Sequence, residues 1–524
     1  MNKRLVYPII AAFLLLLSGC QEPYKEPDLV YGLTLSPTGI DPHLNASSEL
    51  GIPLQSVYDT LVFRDPESGQ FVSGLAESWS ITDDELTYTF SLRSDVVFHD
   101  GTPLNASAVE TNLDRIMDPD NHSQKALSLL GPLTDVSVDD EFTISFHLRE
   151  PYGALLDALS QVYMGMASPA ALEEWGAEYQ FHQVGTGPYR FIEYIPDSSI
   201  LLERYEAYAW APPFIDISPN PPERIEFRFY TDPATRALAL ESGEVDIMGE
   251  IPVHDADRLA AEEDFDMLAV PIPGQPLQYF FNTTLSPTSD PLVREALFQG
   301  VDRSAIVETI FGTSSRVASD VLSISMQTFP ASSRFAETNA ELAQELLDTA
   351  GWFFDEESGF RIKDGSPLSI RIAAPTWGMN PEVCQLMRAD WERLGIQVEI
   401  QVMPGFGQLK EAHESNEFHL IGINFFGTDP AFLGSFYSTD GLYNWSNVKE
   451  PELDRRLQTA ARLQPDLPER SVLYAGAADS IRNQTLILPV RDYVNLVLVR
   501  HSIHGLRYSA EGWFPLLIEL SIES

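Results

Sequence analysis

Few stretches of this 524-residue chain carry residue types and spacings that do chemistry, and the first is Gly185-Thr186-Gly187, two glycines at the threshold of a hydrophobic segment. Such a loop cradles a phosphate when a third glycine follows and a helix opens behind it. Here the third position is Arg190 and Pro188 interrupts the helix start. No Gly-Lys-Ser or Gly-Lys-Thr occurs, so a P-loop is excluded as well. His413 and His419 lie six apart and His501 and His504 three apart, neither pair at the i, i+4 spacing of a helical zinc site. Asp118 and Asp120 begin like a calcium loop, but Ser123 and Leu129 stand where glycine and glutamate are required. No G-x-S-x-G elbow is present. Neither a metal, a cofactor nor a catalytic residue is expected.

What remains is binding chemistry. In "INFFGTDPAFLGSFYST" a strand ends in the aromatics Phe425 and Phe426, and Asp429-Pro430 follows. Tyr443 and Trp445 lie just beyond, and Trp377 in "APTWGMN" follows a strand of its own. Aromatic rings at strand ends wall ligand pockets, although the competing reading for each is core packing. Asn282, ending "YFFNT", offers amide hydrogen bonds to an extended ligand or simply makes a turn. Arg491 in "LPVRDYV" offers a cation to a ligand carboxylate or makes a structural salt bridge.

The elements that must position these residues alternate between two periods. Leu86, Tyr88, Phe90 and Leu92 alternate with Thr87, Thr89, Ser91 and Arg93, the pattern of a half-buried strand. It returns at Phe142 to Leu148, Ile225 to Phe229 and Ile396 to Val402. Helical spacing holds in "DPLVREALFQGVDRSAIVETIFG", where Asp290 and Asp302 stand at cap positions. "PEVCQLMRADWERLG" reads as a helix that ends at Gly395 and runs straight into the strand at Ile396, an α/β signature. Turns fall at Asp100-Gly101, Asp364-Gly365 and Asp440-Gly441.

Composition bounds the function classes. Lys and Arg number 33 against 77 Asp and Glu, a formal charge of −44 that repels phosphate backbones, so no nucleic-acid partner is expected. A solvated acidic face accounts for the balance, with a salty habitat as the alternative. Lys3 and Arg4 precede an apolar run ending "AAFLLLLSGC", shorter than a membrane span. Leu17-Ser18-Gly19-Cys20 resembles the bacterial lipobox, which implies a signal peptide over 1–19, acylation of Cys20 and a tether over 20–27. The chain is then exported and lipid-anchored to the cell envelope, on its periplasmic or extracellular face. Cys384 is the one other cysteine, so an intramolecular disulfide is excluded from the mature fold.

Several separated motifs, in order, resemble one known group. "GIDPHLN", the long block from "VYDTLVFRDPESGQFVSGLAESWS" to "AVETNLDRI", "GTGPYRFIEY", "ALESGEVDIM", "YFFNTTLSPTSDPLVREALFQGVDRSAIV", "AQELLDTAGW" and "LYNWSNVKEPELDRRLQTA" are similar to the family 5 solute-binding proteins of ABC importers, the peptide and nickel class. The resemblance implies an α/β fold of the type II periplasmic binding protein kind: two lobes joined by crossing strands, with a third domain inserted in the first. It places lobe I at 28–56, 184–272 and 490–524, the insert at 57–183 and lobe II at 273–489. It implies capture of a di- or oligopeptide by hinge closure, with a permease and an ATPase as partners. Asp429 matches the aspartate that grips the ligand's α-ammonium, a bond of about 1.5–3 kcal/mol; the competing reading is a cap on the turn before Pro430. The alternatives are the same transport role for a nickel chelate or an oligosaccharide, and an exported hydrolase.

Overall fold

The computed structural model describes residues 25–37, 39–44, 50–326, 335 and 337–523. Cys20, the signal segment and the first part of the tether lie outside the described residues. Among the described residues two large sheets dominate. The first has seven strands in the order Phe265–Pro271, Val494–Arg500, Ile247–Met248, Leu29–Leu33, Arg224–Phe229, Ser199–Arg204 and Tyr189–Ile195. The second has five, in the order Gln397–Met403, Ser369–Pro375, Leu420–Gly422, Leu277–Phe281 and Ile487–Arg491.

These sheets are the cores of two lobes, and two segments pass between them. Phe265–Pro271 runs into Leu277–Phe281, while Ile487–Arg491 runs back into Val494–Arg500. Each outgoing strand pairs antiparallel with its returning partner in both sheets. At the crossing itself Ile272 donates its N–H to the Tyr493 carbonyl at 3.0 Å, so the ladder persists between the lobes.

A third unit, a four-stranded antiparallel sheet, intervenes between Leu33 and Tyr189. Its strands are Ala76–Ile81, Thr87–Leu92, Leu133–Asp140 and Thr143–Leu148. The alternation read from sequence holds, since Tyr88, Phe90 and Leu92 are buried. The helices follow the caps: Asp290 accepts from Leu292 N at the head of Pro291–Gln299, and Asp302 from Ala305 N at the head of Arg303–Phe311.

The chain returns from this unit to the first lobe through Gly185-Thr186-Gly187, and no helix follows. A β-carbon on Gly185 would lie 2.1 Å from the Val57 carbonyl oxygen, and one on Gly187 would lie 2.6 Å from that of Ser56. The glycines therefore let two backbones touch, and Gly187 N donates to the Val57 carbonyl at 2.9 Å. That contact, in place of a phosphate, is what the motif holds.

Candidate functional site

The strand Leu420–Gly422 ends at the crossing, where the chain turns through Phe425 to Asp429. Gln275 N donates to the Phe425 carbonyl at 2.7 Å and Gly427 N to that of Pro273 at 3.2 Å, which fixes this loop against the segment between the lobes. Phe426 is consequently held with its ring centroid 4.8 Å from Tyr493 and 5.3 Å from Trp513, both contacts near edge-on. Three segments distant in sequence thus supply one aromatic cluster at the meeting of the lobes.

Charged groups stand on both sides of it. Arg491 is buried, with its guanidinium carbon 4.5 Å from the Tyr493 ring centroid, 3.9 Å from that of Phe311, and Nη1 3.1 Å from Ser315 Oγ. Burial pushes its pKa down, against Tyr493 and Glu250, which support the charge. Glu250 adopts a left-handed φ of 54°, its backbone held by Asn495 Oδ1 and Arg236 Nη1. A non-glycine residue in that region stores strain and is found preferentially at functional sites. Burial raises the Glu250 carboxyl above its ordinary value, partly offset by Arg491 and Arg236.

On the other side, the tight turn from Ser509 to Gly512 presents Glu511. The turn lies hard against the crossing, since a β-carbon on Gly512 would sit 2.6 Å from the Pro271 carbonyl oxygen. Glu511 accepts from Ser509 Oγ at 2.6 Å, and burial raises its pKa, with Asp157 adding to the rise and Arg64 opposing it. Those two residues belong to the inserted unit. Arg64 Nη1 donates to Asp157 Oδ1 at 2.7 Å and to the Thr428 carbonyl at 3.1 Å. Thr428 Oγ1 donates to Asp157 Oδ1 at 2.5 Å, and Gly153 N to the Ala461 carbonyl at 2.9 Å. The insert is clasped directly to the second lobe.

The residues singled out from sequence separate into groups. Phe426 joins the cluster, and Trp377 is 38 % exposed on a loop whose Gly378 abuts the Tyr493 hydroxyl. Phe425 packs instead on Phe432 and Phe436 inside the second lobe. Tyr443 lies half-buried against Phe406 and Phe436, and Trp445, 2 % exposed, is core between Phe406 and His413. The Asn282 amide is taken up by Asn416 and Phe418 on one side and by Thr284 on the other, the turn role. Asp429 accepts from Ala431 N at 2.8 Å, capping the short helix at Pro430, and from Arg470 Nη2 at 2.7 Å. Its negative charge is met from within the lobe, which is the cap reading, extended by an ion pair. Arg491 makes no ion pair with another described residue. Sequence reasoning missed Tyr493, Trp513, Glu250 and Glu511, whose local patterns carry no signal beyond residue type.

The model of the "Bacterial extracellular solute-binding proteins, family 5 Middle" matches residues 70–447. The chain belongs to this family. Among curated relatives, the glutathione-binding protein GsiB of Escherichia coli O1:K1 / APEC is 29% identical over 495 residues, covering 91% of this chain and 90% of the relative. Among solved structures, NikA from Brucella suis in complex with Fe(III)-EDTA superposes with a TM-score of 0.84 at 22% identity, over 95% of this chain and 100% of that one. DppA from Helicobacter pylori in complex with the peptide STSA gives 0.78 at 22%, over 95% and 98%. The fold is that of the type II periplasmic binding proteins, as the crossing strands and inserted unit require. As a family 5 solute-binding protein, the chain serves outside the cytoplasm and delivers its ligand to an ABC permease and ATPase. Family 5 members are transport proteins and not enzymes, so the exported hydrolase falls away.

Proposed function

We propose that this family 5 protein captures di- or oligopeptides between its lobes by hinge closure and carries them to the permease while anchored to the membrane through an acylated Cys20. The lobes span 28–56, 184–272 and 490–524, and 273–489, with the insert at 57–183. The distribution of strands among the three sheets supports this division, with Ile487–Arg491 of the second sheet running two residues past 489.

The observation that carries the peptide reading is the composition of the junction. Phe426, Tyr493 and Trp513 supply apolar faces that suit side chains of varied shape, while Arg491 and the carboxylates Glu250 and Glu511 suit a ligand with both an anionic and a cationic end. A closed state that encloses such a ligand is stabilised by contacts the open state lacks. DppA with its tetrapeptide and GsiB as a glutathione binder lend the reading support.

The test is a thermal-shift screen of the purified protein over short peptides, nickel chelates and oligosaccharides. A ligand at 100 times its dissociation constant adds about 2.7 kcal/mol, a shift easily read. Stabilisation by peptides supports the proposal. A response confined to metal chelates or to sugars replaces the ligand and keeps the transport role. For the anchor, Cys20→Ala is expected to leave the protein soluble after cell fractionation.

A further inference from the structure

Three parts of the chain meet beside the crossing, and their charges do not balance. The insert brings Arg64 and Asp157, paired at 2.7 Å. The second lobe brings Arg470 and Asp429, also paired at 2.7 Å, with the Arg470 guanidinium carbon 5.2 Å from the centre of the Tyr474 ring. The C-terminal turn brings Glu511, which accepts from Ser509 Oγ and faces Asp157 and the same Arg64. Three carboxylates therefore share two guanidiniums, a surplus of one negative charge. The other titratable groups here, Tyr152 and Tyr474, are kept protonated by burial and by the nearby Asp429, so neither changes the balance.

The surplus is spread unevenly. Asp429 and Arg470 cancel within the second lobe, so the excess lies on the insert and the C-terminal turn, where Asp157 and Glu511 face one guanidinium. The second lobe acts as a cover over it. Its Thr428 carbonyl accepts from Arg64 at 3.1 Å and its Thr428 hydroxyl donates to Asp157 at 2.5 Å, leaving Asp157 5 % exposed. A net charge taken out of water is unfavourable until a partner or a proton neutralises it. Burial raises both carboxyls; Arg64 opposes the rise at each, while Asp429 adds to it at Asp157 and Asp157 adds to it at Glu511.

We infer that closing the empty protein over this junction takes up one proton, shared between Asp157 and Glu511. The inference rests on the hinge closure proposed above and adds a control to it: pH sets how often the empty protein stands open to receive cargo. The sign follows from burial. In the closed form the pair holds a proton at a higher pH than in the open form, where both carboxyls return toward the ordinary range near 4. Between those limits the closed form binds more protons, so its ratio to the open form rises as pH falls, by up to about ten-fold per pH unit, and levels off near 4.

The experiment is small-angle X-ray scattering of the ligand-free protein from pH 8 to pH 5 at constant ionic strength. The wild-type radius of gyration is expected to contract as pH falls. Asp157→Asn and Glu511→Gln each remove the surplus charge while keeping side-chain shape, so each is expected to be contracted already at pH 8 and flat below it. Two variants from different parts of the chain then give one result, which a local packing role would not produce. Glu511→Gln keeps its Ser509 contact and remains readable should Asp157→Asn fail to fold. A wild-type response that persists in either folded variant overturns the inference, as does an equal contraction on adding salt at pH 8. A radius that contracts with an equimolar mixture of tripeptides but ignores pH overturns the inference and leaves hinge closure standing. A radius that answers to neither overturns both.

Discussion

Asp429 and Arg470 form a buried ion pair, 2.7 Å from oxygen to nitrogen, linking the loop after a central strand to a helix of the same lobe. Removing one member of such a pair leaves the other charge buried alone, at a cost of about 3–5 kcal/mol. Asp429→Ala is therefore expected to lower unfolding stability by that amount, and Arg470→Met similarly. Urea unfolding of the two variants and of Asp429→Leu combined with Arg470→Met checks this, the double variant recovering part of the loss. A stable Asp429→Ala protein that has lost only peptide affinity restores the ammonium role to Asp429.

The clasp between insert and second lobe is open to a steric test. A β-carbon on Gly153 would lie 1.8 Å from the Leu463 carbonyl oxygen, a backbone atom with nowhere to move. Gly153→Ala is expected to lift the insert off the lobe, breaking the bond from Gly153 N to Ala461 as well. X-ray scattering should show a larger radius of gyration in the presence of ligand, and affinity should weaken as the closed fraction falls. An unchanged scattering profile counts against the clasp as part of the closed state.

Phe426 touches both rings of the aromatic cluster, so Phe426→Ala removes two edge contacts worth about 1 kcal/mol each beyond the lost area. Ligand affinity is expected to drop by roughly ten-fold or more, whereas Trp445→Phe, a core change, leaves affinity alone. The indole of Trp513 should report ligand directly: wild-type tryptophan emission shifts on binding, and the shift is absent in Trp513→Phe.

Acid stability has an identifiable contributor. His43 is fully buried, donates through Nε2 to the Gly165 carbonyl at 3.0 Å and accepts at Nδ1 from Arg115. Burial lowers its pKa from 6.5 to about 4, Arg115 assisting and Asp41 opposing. Between those values the unfolded chain binds a proton that the native state refuses, so this stability is present at neutral pH and is lost as pH falls from 6.5 toward 4. At pH 5 the loss is about 2 kcal/mol. Asp59, raised to about 6 chiefly by burial, acts oppositely over the same window, which makes a variant necessary. Urea titrations at pH 5 and 7 should show the difference narrowing by about 2 kcal/mol in His43→Gln.

The fold was legible wherever a local period or cap carried the information. Tyr88, Phe90 and Leu92 alternate because one sheet face is buried, and Asp290 and Asp302 cap because a helix start needs acceptors for its free N–H groups. The site was legible only in part. Phe425, Phe426, Tyr443 and Trp445 look alike in sequence, yet depth is decided by partners such as Phe406, Phe432 and Tyr493 contributed from elsewhere. The same limit hid Arg470 from Asp429, 41 positions away, and Glu511 from Asp157 and Arg64, since charge balance at a junction is a property of three segments at once.

The crossing carries a mechanical consequence. Its two segments remain hydrogen-bonded through Ile272 and Tyr493, and Pro271, Pro273 and Pro276 fix φ along one of them. A paired, proline-stiffened ribbon bends across its width more easily than it twists or slides. In the hinge closure proposed above, opening is then a swing about one axis, as of a book on its spine, and the two halves return along a single path. On the peptide reading proposed above, the permease then meets one closed outline whichever side chains the cargo carries, and breadth of cargo and uniformity of delivery come from the same strap.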